Sequence, residues 1–223
     1  MNQPGKISVV IPTLNAATTL PATLAALGEV GEVVVADGGS DDGTVKVAED
    51  RGARMVIAER GRGPQLMAGI AAAVGDWLLL LHADTCLSPE WRQQAEDHMR
   101  DNPGKAAFFR FVLDSANPKA RRLERLVAWR CRVLALPYGD QGLLIQRDTL
   151  YRVGGMRPLR LMEDVDLIRR LGRARLVGLT AGAVTSAAKW ERDGWYRRSL
   201  RNLICLSLWH LRVSPDRIAR IYG

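Results

Sequence analysis

The 223 residues are 47% hydrophobic and 25% charged, with a formal charge of +8 at pH 7. Such a chain buries a full core without disulfides or structural metal. The three scattered cysteines, Cys86, Cys131 and Cys205, form no Cys-x-x-Cys pair or Cys/His cluster, which argues against a zinc site and for a reducing, cytoplasmic setting. No run approaches the roughly 18 apolar residues of a spanning helix. Residues 1–6 are polar and Ile7–Ile11 is too short for a secretory leader, so the positive charge asks for an anionic partner: a phosphorylated substrate, a membrane surface or nucleic acid.

Ile7–Ile11 is β-branched and predicts a strand stopped by Pro12. Ala16–Leu27 has helical spacing, with Thr18, Thr19 and Pro21 in its opening turns and Gly28 at its end. Strands follow at Val33–Ala36, Met55–Ala58 and Trp77–Leu81, with helices at Gly43–Arg51 and Gln65–Val74 between them. This alternation argues an α/β fold with a doubly wound, mainly parallel sheet flanked by helices. Ser88–Pro89 opens a helix over Glu90–Arg100, and Ala106–Leu113 is a strand. Pro118–Leu136 is a long arginine-rich helix, Gly142–Ile145 a short strand, Glu163–Leu171 a helix, Leu176–Leu179 a strand and Trp195–Leu211 a second basic helix. No repeat or linker interrupts the chain, so a single domain over 1–223 is expected.

Polar clusters stand where these strands end, the edge at which open α/β sheets bind ligands. Pro12-Thr13-Leu14-Asn15 offers backbone N–H groups and small polar side chains to a nucleotide, or simply caps a helix. Asp37 leaves the second strand ready to accept from a ribose hydroxyl or a base, and Gly38 and Gly39 allow close backbone approach. Asp41 and Asp42 suit capping of the next helix. Arg62, between glycines and just ahead of Gln65, suits phosphate contact or a solvated loop. Four leucines, Leu78–Leu81, then deliver His82-Ala83-Asp84 to the same edge. Asp84 there either caps the following segment or holds a divalent cation against a phosphate.

These motifs, in this order and at these spacings, resemble family-2 glycosyltransferases of the GT-A fold from about residue 6 to residue 215. The likeness is strongest to the bacterial selenodomain-associated transferase 2 subgroup. The resemblance implies that residues 1–86 form the nucleotide-binding half and 87–223 the acceptor and catalytic half. It implies that Pro12, Thr13, Leu14, Asn15, Asp37, Gly38, Arg62, Gln65, His82, Ala83 and Asp84 line the site of a nucleotide-sugar donor, UDP-linked by default. His82-Ala83-Asp84 takes the place of an Asp-x-Asp motif, so Asp84 and His82 would hold Mn²⁺ or Mg²⁺. Two departures stand out. His82 replaces the first aspartate, which favours Mn²⁺ if it ligates; it otherwise bonds the nucleotide or is structural. Gly38 replaces a frequent second aspartate.

Glu163-Asp164 opens a helix where the dipole favours carboxylates. Inverting transfer needs a base beside the acceptor hydroxyl, and similar enzymes place a Glu-Asp pair here. Asp164 is the expected base ahead of Glu163, with Asp166 facing solvent. Asp140 or Gln141 either orients the acceptor or donor sugar or marks a turn. The two basic helices, carrying leucine and tryptophan, either pack on the sheet or lie on anionic lipid at the inner face of the membrane, beside a lipid-linked acceptor. Nucleic acid is not expected, since no nucleic-acid motif accompanies the charge. A nucleotidyltransferase is the rival enzyme, disfavoured because its glycine loop would follow strand one rather than strand three. A non-catalytic membrane-surface scaffold is the rival from another class.

Overall fold

The computed structural model describes residues 5–211, 213–214 and 217–218; residues 1–4 and position 215, the far end of the resemblance, lie outside them. The first half runs β1 (Ile7–Thr13), α1 (Leu20–Leu27), β2 (Glu32–Asp37), α2 (Thr44–Asp50), β3 (Arg54–Ile57), α3 (Arg62–Ala72), β4 (Trp77–Leu80) and β5 (Thr85–Leu87). The second runs α4 (Trp91–Asp101), β6 (Ala106–Leu113), α5 (Pro118–Leu134), a 3-10 turn (Gly139–Gln141), β7 (Leu143–Gln146), α6 (Arg147–Arg152), α7 (Glu163–Leu171), β8 (Leu176–Thr185), α8 (Ala188–Asp193) and α9 (Trp195–His210). One sheet holds the strands in the order β3-β2-β1-β4-β7-β6-β8-β5.

The β1–β2, β2–β3, β1–β4 and β6–β8 pairs are parallel, as the strand–helix alternation requires. β7 runs antiparallel to both β4 and β6, and β5 antiparallel to β8. The central strands bury both faces, which is why they read as unbroken apolar runs. Val9, Ile11, Leu79 and Leu81 pack on one side with Leu20, Leu27 and Trp91. Val10, Leu78 and Leu80 pack on the other with Leu66, Ile70 and Leu167.

Three expectations are corrected. Pro12 does not stop β1, which continues through Pro12↔Ala36 to Thr13↔Asp37. Residues 10 and 12 face β4, as the Leu81 N–H bond to the Val10 carbonyl shows, and β4 ends opposite Val10; the missing proline N–H therefore costs no ladder bond. The first helix begins at Leu20, four residues late, after a turn closed on the Ala16 carbonyl. β8 is ten residues rather than four, held by β6 through Gly178 and on past Gly182. Among the described residues no helix is long and apolar enough to cross a membrane.

Candidate active site

The ends of β1 and β2 are stitched into one rim. Asp37 is buried, and Oδ1 accepts from Thr13 Oγ1 at 2.8 Å and Ser40 Oγ at 2.6 Å. Oδ2 accepts from the Gly39 and Ser40 N–H groups at 2.9 and 2.8 Å. Burial pushes this carboxyl up, but the Ser40, Thr13 and Gly39 bonds together hold it below the usual carboxylate range. All its acceptor directions are spent on protein. The Asp37 and Thr13 side chains therefore brace the rim where the sequence expects a nucleotide. Asn15, at φ 51°, accepts from the Asp41 N–H and donates its own N–H to Ser40 Oγ. Asp42 accepts from the Thr44 and Ala17 N–H groups, as a capping role predicts. Pro12 and Leu14 are half-buried and Asn15 is exposed, so the surface offered to a ligand is theirs and that of the Gly39–Ser40 backbone.

Gln65 braces the same rim. It is buried on the first turns of α3, and Nε2 donates to the Thr13 and Ala36 carbonyls at 2.5 and 2.9 Å. It locks the β1 and β2 ends to α3. It also explains Gly38, where an added Cβ would lie 3.1 Å from the Gln65 side chain and 3.3 Å from the Arg60 Cα. Gly63 likewise serves the protein: its Cβ would fall 2.4 and 2.5 Å from the Leu159 and Arg157 carbonyl oxygens.

A second cluster forms where four segments meet: the turn after β4, the start of α3, the 3-10 turn and the start of α7. Asp164 Oδ2 accepts the Gly139 N–H at 2.7 Å and Oδ1 accepts from Val165 at 2.7 Å, which fixes the carboxylate's orientation. A Cβ at Gly139 would lie 2.6 Å from His82 Nε2 and 3.3 Å from Asp164 Oδ2, so imidazole and carboxylate flank this glycine. The Asp140 carboxyl is pushed up to about 6, first by burial; the positive charge of Arg130 and Arg62 opposes this, and the negative charge of Asp164 and Asp84 adds to it. Residue 140 keeps some exposure, yet its Oδ1 is enclosed with no hydrogen-bond partner.

Glu163 lies deeper, 1% exposed, with neither carboxyl oxygen hydrogen-bonded. Burial and the neighbouring Asp164 charge push it up to about 8 against the opposing charge of Arg62, so it carries a proton at pH 7. The cleft beside it encloses about 440 Å³ including its open mouth and is lined by Leu66, Leu80, Tyr138, Leu143, Met156 and Asp164. His82 lines this cleft, and His82, Ala83 and Asp84 are all half-buried, with the Ala83 carbonyl accepting from Thr23 Oγ1. Among the described residues no three His, Cys, Asp or Glu side chains surround a common metal point. Asp84 and His82 thus offer two donors at most, too few for a closed protein cage.

Gln141 and Asp166 are both held by protein partners. Gln141 is buried, donating to the Phe109 carbonyl at 2.9 Å and accepting from the Tyr138 N–H, so it ties the 3-10 turn to β6. Asp166 is buried too, not solvent-facing: Arg157 and Arg170 hold its two oxygens at 3.0 and 2.8 Å. Arg130 and Tyr138 join the site, although the sequence places them only on a basic helix and in a turn. The Arg130 guanidinium lies 3.5 Å from the Tyr138 ring centroid while its Nε donates to the Leu136 carbonyl, so this helix arginine turns into the cleft wall. Its place beside Val127 and Cys131 on the inward face of the helix was the available signal.

The Glycosyl transferase family 2 model matches residues 8–164. A PGL/p-HBAD biosynthesis glycosyltransferase of Mycobacterium tuberculosis is 37% identical over 91 residues, a stretch spanning 36% of this chain and 36% of the relative. Glucosyl-3-phosphoglycerate synthase from the same organism, solved with Mn²⁺, UDP and glucosyl-3-phosphoglycerate, superimposes with a TM-score of 0.57 at 23% identity, over 80% of this chain and 70% of that one. Mannosyl-3-phosphoglycerate synthase from Rubrobacter xylanophilus gives 0.61 at 17% identity, over 94% of this chain and 76% of its own. At these identities the solved structures establish a shared GT-A fold.

Proposed function

The chain belongs to glycosyl transferase family 2, and on that premise we propose that it moves a sugar from a nucleoside-diphosphate donor to an acceptor hydroxyl with inversion at the anomeric carbon. The observation that carries the proposal is the gathering of His82, Gly139, Glu163 and Asp164 along one cleft at the end of β4. The donor base and ribose would lie along Pro12, Leu14, Asn15 and the Gly39–Ser40 backbone. Arg62, on the first turn of α3, would face the diphosphate with the helix N-terminus behind it. A cation with one or two protein donors and the rest from phosphate oxygens is the usual form of a Mg²⁺ or Mn²⁺ site in phosphate chemistry. Asp84, with His82 as second ligand, fits that form. When bound, the ion would neutralise the charge gathering on the leaving diphosphate.

Asp164 would take the acceptor proton as the hydroxyl attacks the anomeric carbon and the bond to the diphosphate breaks. Glu163 already holds a proton at pH 7 and is unsuited to that task; it serves as a neutral donor at the floor of the cleft. Asp140 would orient the acceptor or the donor sugar. UDP is the default nucleotide, in keeping with the UDP held by the solved relative. The selenodomain-associated subgroup is part of the same proposal, resting on the His82-Ala83-Asp84 and Asp37-Gly38 departures.

A thermal-shift screen of UDP-, GDP- and dTDP-sugars with and without Mn²⁺ tests this, since a ligand bound only by the folded state raises Tm. One donor should raise Tm further when Mn²⁺ is present, and Asp84→Asn should abolish the metal-dependent part. No shift with any nucleotide sugar overturns the reading; an unchanged shift in Asp84→Asn overturns the ligand assignment.

A further inference from the structure

We propose that the outer faces of α5 and α9 form one docking surface for an anionic lipid bilayer. Each of these helices has two apolar faces. The inner ones are spoken for: Ala120, Leu123, Val127 and Cys131 pack with Trp190 and Trp195, and Cys205 and Leu208 pack with Leu161. The outer ones have no partner among the described residues. On α5, Leu126, Trp129 and Val133 are 56%, 49% and 42% exposed at i, i+3, i+7 spacing. On α9, Tyr196, Leu200, Leu203 and Ile204 are 71%, 58%, 59% and 43% exposed, and Leu211 just beyond is 75% exposed, again on one stripe.

The two stripes adjoin. Lys119 shares the Leu126–Val133 face by its seven-residue spacing, and its Nζ lies 5.7 Å from the centroid of the Tyr196 ring, which belongs to the α9 stripe. An apolar face this long on a monomer marks an interaction surface.

Charge selects the occupant. The exposed Arg122 lies on the α5 stripe, with Arg125 and Arg132 along its flank, and Arg197 edges that of α9. No acidic residue occurs in α9. The one in α5, Glu124, is turned inward, accepting from the Leu113 N–H and pairing with Arg121. Apolar residues flanked by arginine and free of carboxylates are what a helix lying in an anionic interface presents. A second copy docked on the same face would instead set these arginines against each other, because a two-fold interface apposes identical patches. The surface also borders the cleft: α5 leads directly into the turn at Tyr138–Gly139, and α9 packs on Leu161, two residues before Glu163.

Vesicle co-sedimentation of the full chain, without donor or metal, tests the proposal independently of the glycosyl-transfer reading. Phosphatidylcholine vesicles with and without phosphatidylglycerol are compared, for the native protein and for the Leu126→Glu/Leu203→Glu double variant. Both side chains are exposed, and an unchanged Tm of the variant shows that folding is intact. The native protein should bind the anionic vesicles, and the variant should bind at least tenfold more weakly. Arg122→Glu should weaken binding by at least about fivefold, the worth of one cation near such a surface. No binding to anionic vesicles, or equal binding by native protein and variant, overturns the proposal. So does a dimer in sedimentation equilibrium that the double variant dissociates while neither form binds lipid, since the occupant is then a second copy.

Discussion

Replacing Glu163 by Gln isolates the consequence of burying a carboxyl without a partner. The side chain is 1% exposed, and its proton affinity is raised from 4.5 to about 8, chiefly by burial and then by Asp164. Between these values the folded protein keeps a proton that the unfolded chain has released. Stability therefore falls as pH rises through this window, and the favourable contribution is complete only below about pH 4.5. At about 1.4 kcal/mol per unit, the loss between pH 5 and pH 8 comes to roughly 3 kcal/mol. Glutamine keeps the shape and a donor but does not titrate. Urea unfolding at pH 5, 6, 7 and 8 should show the native protein losing that much more stability than Glu163→Gln over the window. Asp140, pushed up to about 6, adds a slope of the same sign in both proteins and cancels in the difference. Equal pH slopes for the two proteins would refute the burial argument and, with it, the reason for excluding Glu163 as the base.

Asp164→Asn should lower kcat by about 10²–10⁴-fold while leaving the donor-induced Tm shift in place; activity within a few-fold of native places the base elsewhere. Asp84→Asn should leave metal-free donor binding intact and remove its enhancement by Mn²⁺, read as the difference between paired melting curves. Gly63→Ala should cost about 1–3 kcal/mol, because the new Cβ meets two backbone oxygens, of Leu159 and Arg157, that cannot rotate aside. A urea midpoint equal to native contradicts that close approach.

Much of the framework can be read in the order of residues. Leu78–Leu81 and the Val-Val runs of β1 and β2 specify buried strands through composition alone, and β6 and α7 fall where their patterns place them. The polar motifs after β1, β2 and β4 come to one edge because parallel strands share a direction. β5, α6 and α8 were invisible: three strand residues or six helical ones carry no period, and β5 exists through pairing of Thr85 with Thr185, a hundred positions away.

Which polar groups remain for a ligand depends on the folded partners. Asp37, Gln65 and Gln141 read as polar groups at strand ends and turns in sequence, and in space they hydrogen-bond to Thr13, Ser40, Ala36 and Phe109. Asp166 reads as a surface carboxylate until Arg157 and Arg170 close over it. Glu163 and Asp164 are adjacent in the chain yet differ in environment, one enclosed by apolar side chains and the other anchored by the Gly139 N–H. Local patterning sets where strands and helices form, because backbone preference and apolar periodicity act over a few residues. Protonation and hydrogen-bond vacancy are set by whatever distant segments bring within a few ångströms, and that information is distributed over the whole chain.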